Sequence, residues 1–209
     1  MGTAELLWRR EKSHRNHLEP RNKEHVNERY KSLIGKLAIP HHAGAAYRAL
    51  LSAGLDAVPA VRAGLRHENP DVRHRCCLFL DHFTQEAMDD LSAMLSDPDA
   101  RVRSSALHAL ACDRCKEGSC LPTEATVLPR AIALLATDPD AHVRAHAIGL
   151  VGRWVHTNPA AEVALLRAMR SDSRASVRKK AGWLVPGGTI YRKTAPKAQK
   201  AGRSNRISN

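Results

Sequence analysis

Aromatic residues are scarce in this chain: three Trp, three Tyr and two Phe make up 4% of its 209 residues. The strands of a β-sandwich or barrel draw heavily on Tyr, Phe, Val and Ile, so this scarcity counts against an all-β fold. Long apolar runs are also missing. No stretch approaches the roughly 18 residues that a membrane span requires, and the opening MGTAELLWRREK has no apolar region of the secretory kind. No membrane association is expected, and a cytoplasmic location follows by default. Catalytic signatures are equally absent: there is no Ser-His-Asp spacing, His-Glu-x-x-His pair, Walker loop or Gly-x-Gly-x-x-Gly. The twelve histidines are scattered over polar segments, loops and helices and do not fill that gap. The expectation is therefore a non-enzymatic protein that requires no cofactor. Acidic residues are outnumbered, 21 Asp and Glu against 33 Lys and Arg, for a net charge of +12 with histidine neutral. Such an excess suits a polyanionic partner without naming one. What remains abundant is Ala and Leu, the composition of an all-helical protein. The length suits one compact domain or one short repeat array.

Internal repetition decides between those two. Four segments align: 69-NPDVRHRCCLFL-80, 97-DPDARVRSSALHAL-110, 138-DPDAHVRAHAIGLV-151 and 172-DSRASVRKKAGWLV-185. Each opens on a polar turn, passes through Val-Arg and runs into an amphipathic helix. The shared arginines are Arg73, Arg103, Arg144 and Arg178, spaced by 30, 41 and 34 residues. Self-similarity at a period of roughly 20 to 50 residues marks stacked helical repeats. Between the turns lie first helices, marked by Leu55, Val58, Val61 and Leu65, by Leu91, Met94 and Leu95, by Val127, Leu128, Ile132 and Leu135, and by Val163, Leu165, Leu166 and Met169. Their spacings of three and four place one face inward. Pro59 and Pro129 read as first-turn prolines, where the missing N–H costs least. Upstream, Val26, Tyr30, Leu33, Ile34 and Leu37 precede a second helix through Ala46, Tyr47, Leu50 and Leu51. About five helical hairpins follow, forming an all-α, right-handed α-α superhelix over residues 23–185.

The Asp-Pro-Asp turn, the Val-Arg after it and the Ala and Leu positions of the second helix resemble HEAT repeats, including the phycobilisome-lyase-type variety. The stretch 178-RKKAGWLVPGGTIYRK-193 and the loop ACDRCKEGSC resemble parts of bacterial HEAT-repeat proteins, a likeness that carries no activity with it. The HEAT resemblance implies an α-solenoid whose second helices line the concave face. It also implies a ladder in which turn aspartates pair with arginines between repeats, here Asp97, Asp138 and Asp172 with Arg73, Arg103, Arg144 and Arg178. In the first of the four segments His67 stands near the aspartate position, so the ladder should weaken there. Physically, an aspartate at a helix N-terminus accepts backbone N–H bonds, and an arginine fork can bridge to a neighbouring carboxylate.

The polar segment 1–22 reads as an N-terminal cap through Leu6, Leu7 and Trp8, because a terminal repeat otherwise exposes apolar surface. The body, 23–185, carries a Cys-rich insertion at 112–124. Pro186-Gly187-Gly188 stops the last repeat, and residues 186–209 hold six Lys and Arg and no acid, a basic tail expected to be disordered. In the insertion, Cys112, Cys115 and Cys120 have the spacing C-x2-C-x4-C, with His108 four residues before the first. Thiolate and imidazole at such spacing suit a tetrahedral structural zinc; unligated thiols are the other reading. Cys76 or Cys77 is an alternative fourth ligand, although two adjacent helical cysteines read first as small core residues.

Three functions fit these features. The favoured one is an interaction scaffold binding a protein partner through its concave helix face. A nucleic-acid-binding module would use Arg153, Lys179, Lys180, Arg192, Lys193, Lys197 and Lys200 as polyanion contacts. An alkylbase DNA glycosylase of HEAT-like architecture would use Trp154 and Trp183, but no helical aspartate accompanies them. Both tryptophans read first as core or C-terminal capping residues.

Overall fold

A computed structural model describes residues 27–83, 87–111 and 122–196, and every regular element among them is helical. In chain order these are α1 over 27–36, α2 (Pro40–Ala53), α3 (Val58–Gly64), α4 (Pro70–Leu80), α5 (Met88–Ala93) and α6 (Ala100–Ala111). Then come α7 (Glu124–Thr137), α8 (Ala141–Val151), α9 (Pro159–Ser171), α10 (Ala175–Gly182) and α11 (Thr189–Thr194). The polar segment 1–22, with Leu6, Leu7 and Trp8, lies outside the described residues. Two compact units divide the chain, Met1–Val127 and Leu128–Asn209. No helix among the described residues is long and apolar enough to cross a membrane.

Helix starts follow local chemistry. Pro40, Pro70 and Pro159 each occupy the first helical position, where a fixed φ helps and no N–H is lost. Asn69 and Asn158 cap α4 and α9 by accepting from Asp71 N and Ala160 N. Pro129 departs from expectation. The Thr123 carbonyl opens the turn earlier, accepting from Thr126 N at 3.1 Å and Val127 N at 3.3 Å, so Pro129 falls inside α7 rather than in its first turn.

In the first unit, α4 packs between α3 and α6. Sandwiching explains its broad apolar surface: Val72, Cys76, Cys77, Phe79 and Leu80 are all fully buried. Burying each large side chain contributes about 1.5–3 kcal/mol relative to exposure. Gly64 permits the α3–α4 approach, since a Cβ there would sit 2.6 Å from Cys76 Sγ and 3.2 Å from Ile34 Cγ2. Helix α6 buries Val102, Ala106, Leu107, Ala109 and Leu110 in the same core.

In the second unit, α10 packs against both α8 and α9. Ala161, Leu165 and Ala168 form the inward stripe of α9, meeting Val177 and Ala181 of α10. The fold does not end at Pro186. Gly188 turns the chain back, and Ile190 N and Tyr191 N both donate to the Trp183 carbonyl at 2.9 Å. Tyr191 then lies against His156, ring centroids 4.3 Å apart, and Thr194 Oγ1 is 2.9 Å from His156 Nε2. Residues 192–194, read from the sequence as part of the tail, are the last turn of this closing helix.

Candidate functional site

The repeating polar turns build the most ordered polar chemistry in the molecule. Asp97 Oδ1 accepts from Asp99 N at 2.9 Å, Asp138 Oδ1 from Asp140 N at 2.9 Å, and Asp172 Oδ1 from Arg174 N at 2.8 Å. A second acceptor then caps the helix. Asp99 Oδ1 takes Arg101 N at 2.8 Å, and Asp140 Oδ1 takes His142 N at 2.7 Å. The Arg101 guanidinium beside Asp99 holds that carboxyl down at about 2. In the earliest of these turns His67 replaces the aspartate: its Nδ1 accepts from Asn69 N at 3.0 Å. Arg174 stands where the other turns have Asn or Asp, so α10 has no side-chain cap.

Each shared arginine ties back to its own turn. Nη1 of Arg73 donates to the His67 and Glu68 carbonyls at 2.9 and 2.8 Å. Arg103 makes the same bonds to Asp97 and Pro98, Arg144 to Asp138 and Pro139, and Arg178 to Asp172 and Ser173. Two rungs cross from one repeat to the next. Arg73 grips Asp97 through Nε at 2.7 Å and Nη2 at 2.9 Å. Arg144 grips Asp172 through Nε at 2.7 Å and Nη2 at 3.0 Å, and Nη2 also reaches Ser173 Oγ at 3.2 Å. The Arg144 fork holds the Asp172 carboxyl below its usual range against the opposing pull of burial. Arg73 and Arg144 thus each reach forward to the following turn. This corrects the expectation of a weak rung at the first segment. The carboxylate that Arg73 needs is Asp97, and His67 has only to supply the acceptor for the turn's backbone.

A second line of links lies one helical position further on. Ser105 Oγ is 3.0 Å from His74 Nδ1, and Lys180 Nζ donates to the Ala145 carbonyl at 2.7 Å. In both cases the residue two after a shared arginine meets the residue one after the preceding repeat's arginine. Sequence reasoning missed this line. The signal was a polar side chain recurring at that position, Arg75, Ser105, His146 and Lys180.

The metal candidates do not come together among the described residues. Cys112, Cys115 and Cys120 lie outside them, and no group of three His, Cys, Asp or Glu able to hold a metal occurs within them. His108 Nε2 sits 3.6 Å from Asp81 Oδ2 at the end of α4, and Asp81 Oδ1 is buried with no hydrogen-bond partner among the described residues. Cys76 and Cys77 are fully inside the core, so neither reaches outward as a ligand. Burial pushes the Cys76 thiol up to about 12 and Cys77 higher still.

Two of the proposed polyanion contacts are engaged within the chain. Lys180 is spent on the Ala145 carbonyl, and desolvation lowers its pKa. Lys179 Nζ stands 6.0 Å over the Trp183 ring, and Arg192 and Lys193 are exposed on α11, whereas Arg153 is half-buried. Lys197 and Lys200 lie outside the described residues. Trp154 is half-buried, and Trp183, read as core or cap, is 41% exposed. Charge is unevenly shared between the units: residues 27–127 hold 12 Lys and Arg against 13 acids, whereas residues 128–196 hold 11 against 4, a net of +7.

Residues 39–111, from the start of α2 to the end of α6, match the family model for HEAT repeats. Residues 39–111 carry HEAT repeats. Among solved structures it is similar to the complex of CpcE and CpcF of phycocyanin lyase from Nostoc sp. PCC7120. That likeness has 21% identity and a TM-score of 0.58, covering 73% of this chain and 95% of the other. An engineered protein matches at 19% identity over 77% of this chain and 71% of the other, with a TM-score of 0.44. No curated protein matches. The fold is thus an all-α helical-repeat architecture, as expected. One expectation is overturned. Missing catalytic motifs pointed to a non-enzymatic protein, yet the fold is shared with a phycocyanin lyase complex, so in this architecture that absence is no ground for setting enzymatic activity aside.

Proposed function

We propose that this HEAT-repeat scaffold binds a protein partner through the outward face of its second helices, with Trp183 as an anchor. The carrying observation is the exposure of Trp183: in a chain holding three tryptophans, this one sits 41% exposed at the C-terminal cap of α10, beneath Lys179. Tryptophan is among the residues that dominate binding hot spots, because a large ring buries much area at little entropic cost. Stacked repeats generally present helix faces to a partner. That the phycocyanin lyase structure is a complex of two proteins accords with this reading. Affinity capture by the purified chain, followed by reconstitution with the purified partner, tests it. Trp183→Ala should weaken the reconstituted complex by about 30-fold, the equivalent of about 2 kcal/mol. A complex indifferent to that substitution refutes the reading.

The net charge of +7 on residues 128–196 favours a second reading, nucleic-acid binding. Affinity for a DNA or RNA duplex would then fall steeply between about 50 and 200 mM salt. An affinity independent of salt removes this alternative.

A further inference from the structure

Outside the second-helix face, the second unit contains a groove between α7 and α9 that the function above does not use. Its volume is about 430 Å³. Ile132, Leu135 and Ala136 of α7 form one wall, and Ala160, Val163, Ala164, Arg167, Ala168 and Ser171 of α9 form the other. The α9 positions recur at three and four residues along the whole helix, a trough of roughly 16 Å at 1.5 Å per residue. Alanines line its floor, so another backbone can approach closely. Val163 is 64% exposed, the highest fractional exposure of any large hydrophobic side chain among the described residues.

The polar groups around the trough select the charge of its occupant. Arg167 is exposed and lines the groove, and neither it nor Arg170 has a side-chain hydrogen bond or ion pair among the described residues. Asp172, the one acid in the lining, is already neutralised by Arg144. Ser171 Oγ is occupied by the Arg167 carbonyl at 2.8 Å. The surrounding unit carries +7. An unpaired guanidinium beside a straight apolar trough between two helices fits an amphipathic helix that lays its apolar stripe inward and offers a carboxylate.

We infer that the α7–α9 groove docks an acidic amphipathic helix of a protein partner, its apolar side chains against Val163 and Ile132 and its carboxylate on Arg167. This rests on the partner-binding reading but uses a different face from Trp183, so either can fail without the other. The probe is a fluorescein-labelled peptide of about 16 residues, long enough to hold a helix, with Leu at i, i+3, i+4 and i+7 and Glu beside the stripe. Its control replaces every Glu by Lys. Fluorescence anisotropy with the full chain should show the Glu peptide binding at least about tenfold more tightly than the Lys peptide. Arg167→Glu should reverse that preference, and Val163→Asp should lower Glu-peptide affinity about tenfold or more. Arg192→Glu, an equal charge change on α11, should leave it within about twofold. Circular dichroism melts of each variant establish that it is folded. Equal binding of the two peptides, an unchanged preference in Arg167→Glu, or an equal loss in Arg192→Glu would overturn the proposal. So would self-association of the chain that Val163→Asp abolishes, which would assign the groove to a second copy.

Discussion

Replacing Asp172 by Ala probes the inter-repeat rung where its geometry is most complete. The Arg144 and Asp172 side chains are 10% and 6% exposed, and their fork closes at 2.7 and 3.0 Å. Removing the carboxylate leaves the guanidinium without its paired acceptor in a site from which water is largely excluded, with only the more distant Asp138 and Asp140 as counter-charge. Breaking a buried pair in this way costs about 3–5 kcal/mol, well above the roughly 0–1 kcal/mol of an exposed pair. The remaining bonds of Arg144 to the Asp138 and Pro139 carbonyls and to Ser173 keep the loss near the lower end of that range. Loss of about 3 kcal/mol should lower the melting temperature by roughly 6–12 °C for a chain of this size. The pH dependence has a definite sign. The folded Asp172 carboxyl titrates below its ordinary 3.8 because Arg144 donates to its charged form. Its contribution is therefore complete above about pH 4 and is lost as pH falls through the depressed folded value. Melts of wild type and Asp172→Asn should differ at pH 7, and the gap should shrink only once the pH falls below the ordinary carboxylate value of 3.8. The comparison variant is Arg101→Ala, whose side chain is 55% exposed and should matter little. An Asp172→Ala variant within about 1 kcal/mol of wild type, or a gap to Asp172→Asn that stays constant from pH 7 to pH 2, would refute the argument.

Three further predictions test other parts of the fold. Gly188→Ala would put a Cβ 2.5 Å from the Gly182 and Trp183 carbonyl oxygens, backbone atoms with no room to yield. It should cost about 1–3 kcal/mol and free the Ile190 and Tyr191 amides to hydrogen exchange, whereas retained protection there would contradict the docking of α11. Cys76 and Cys77 should resist iodoacetamide at pH 8 until the chain unfolds, because burial keeps both as thiols; native-state labelling of either, located by peptide mapping, would exclude the core packing described. His67→Leu removes the acceptor for Asn69 N and should cost about 1 kcal/mol in denaturant unfolding. His67→Asp restores the arrangement of the later turns and should fall within about 0.5 kcal/mol of wild type.

The helical repeat was legible in the sequence because its signals are local. The spacing of Arg73, Arg103, Arg144 and Arg178, the prolines at helix starts and the three-four spacing of apolar positions each act within one or two turns of chain. The rung partners were less legible, since nothing local to Arg73 says whether it reaches forward or back; only the stacking of repeats selects Asp97. The second line of links at Ser105 and Lys180 was illegible for the same reason: its partners, His74 and the Ala145 carbonyl, belong to the neighbouring repeat. Trp183 reads as core or cap from its apolar, bulky character alone, yet the equivalent positions of earlier repeats, Leu78 and His108, are exposed as well. The α7–α9 groove is a property of two helices side by side, and neither helix alone signals it.

The central claim, partner binding through the second-helix face, is tested most directly by isothermal titration calorimetry of the captured partner against wild type and Trp183→Ala. The account predicts an approximately 30-fold loss of affinity at an unchanged melting temperature; equal affinities for the two chains would contradict it.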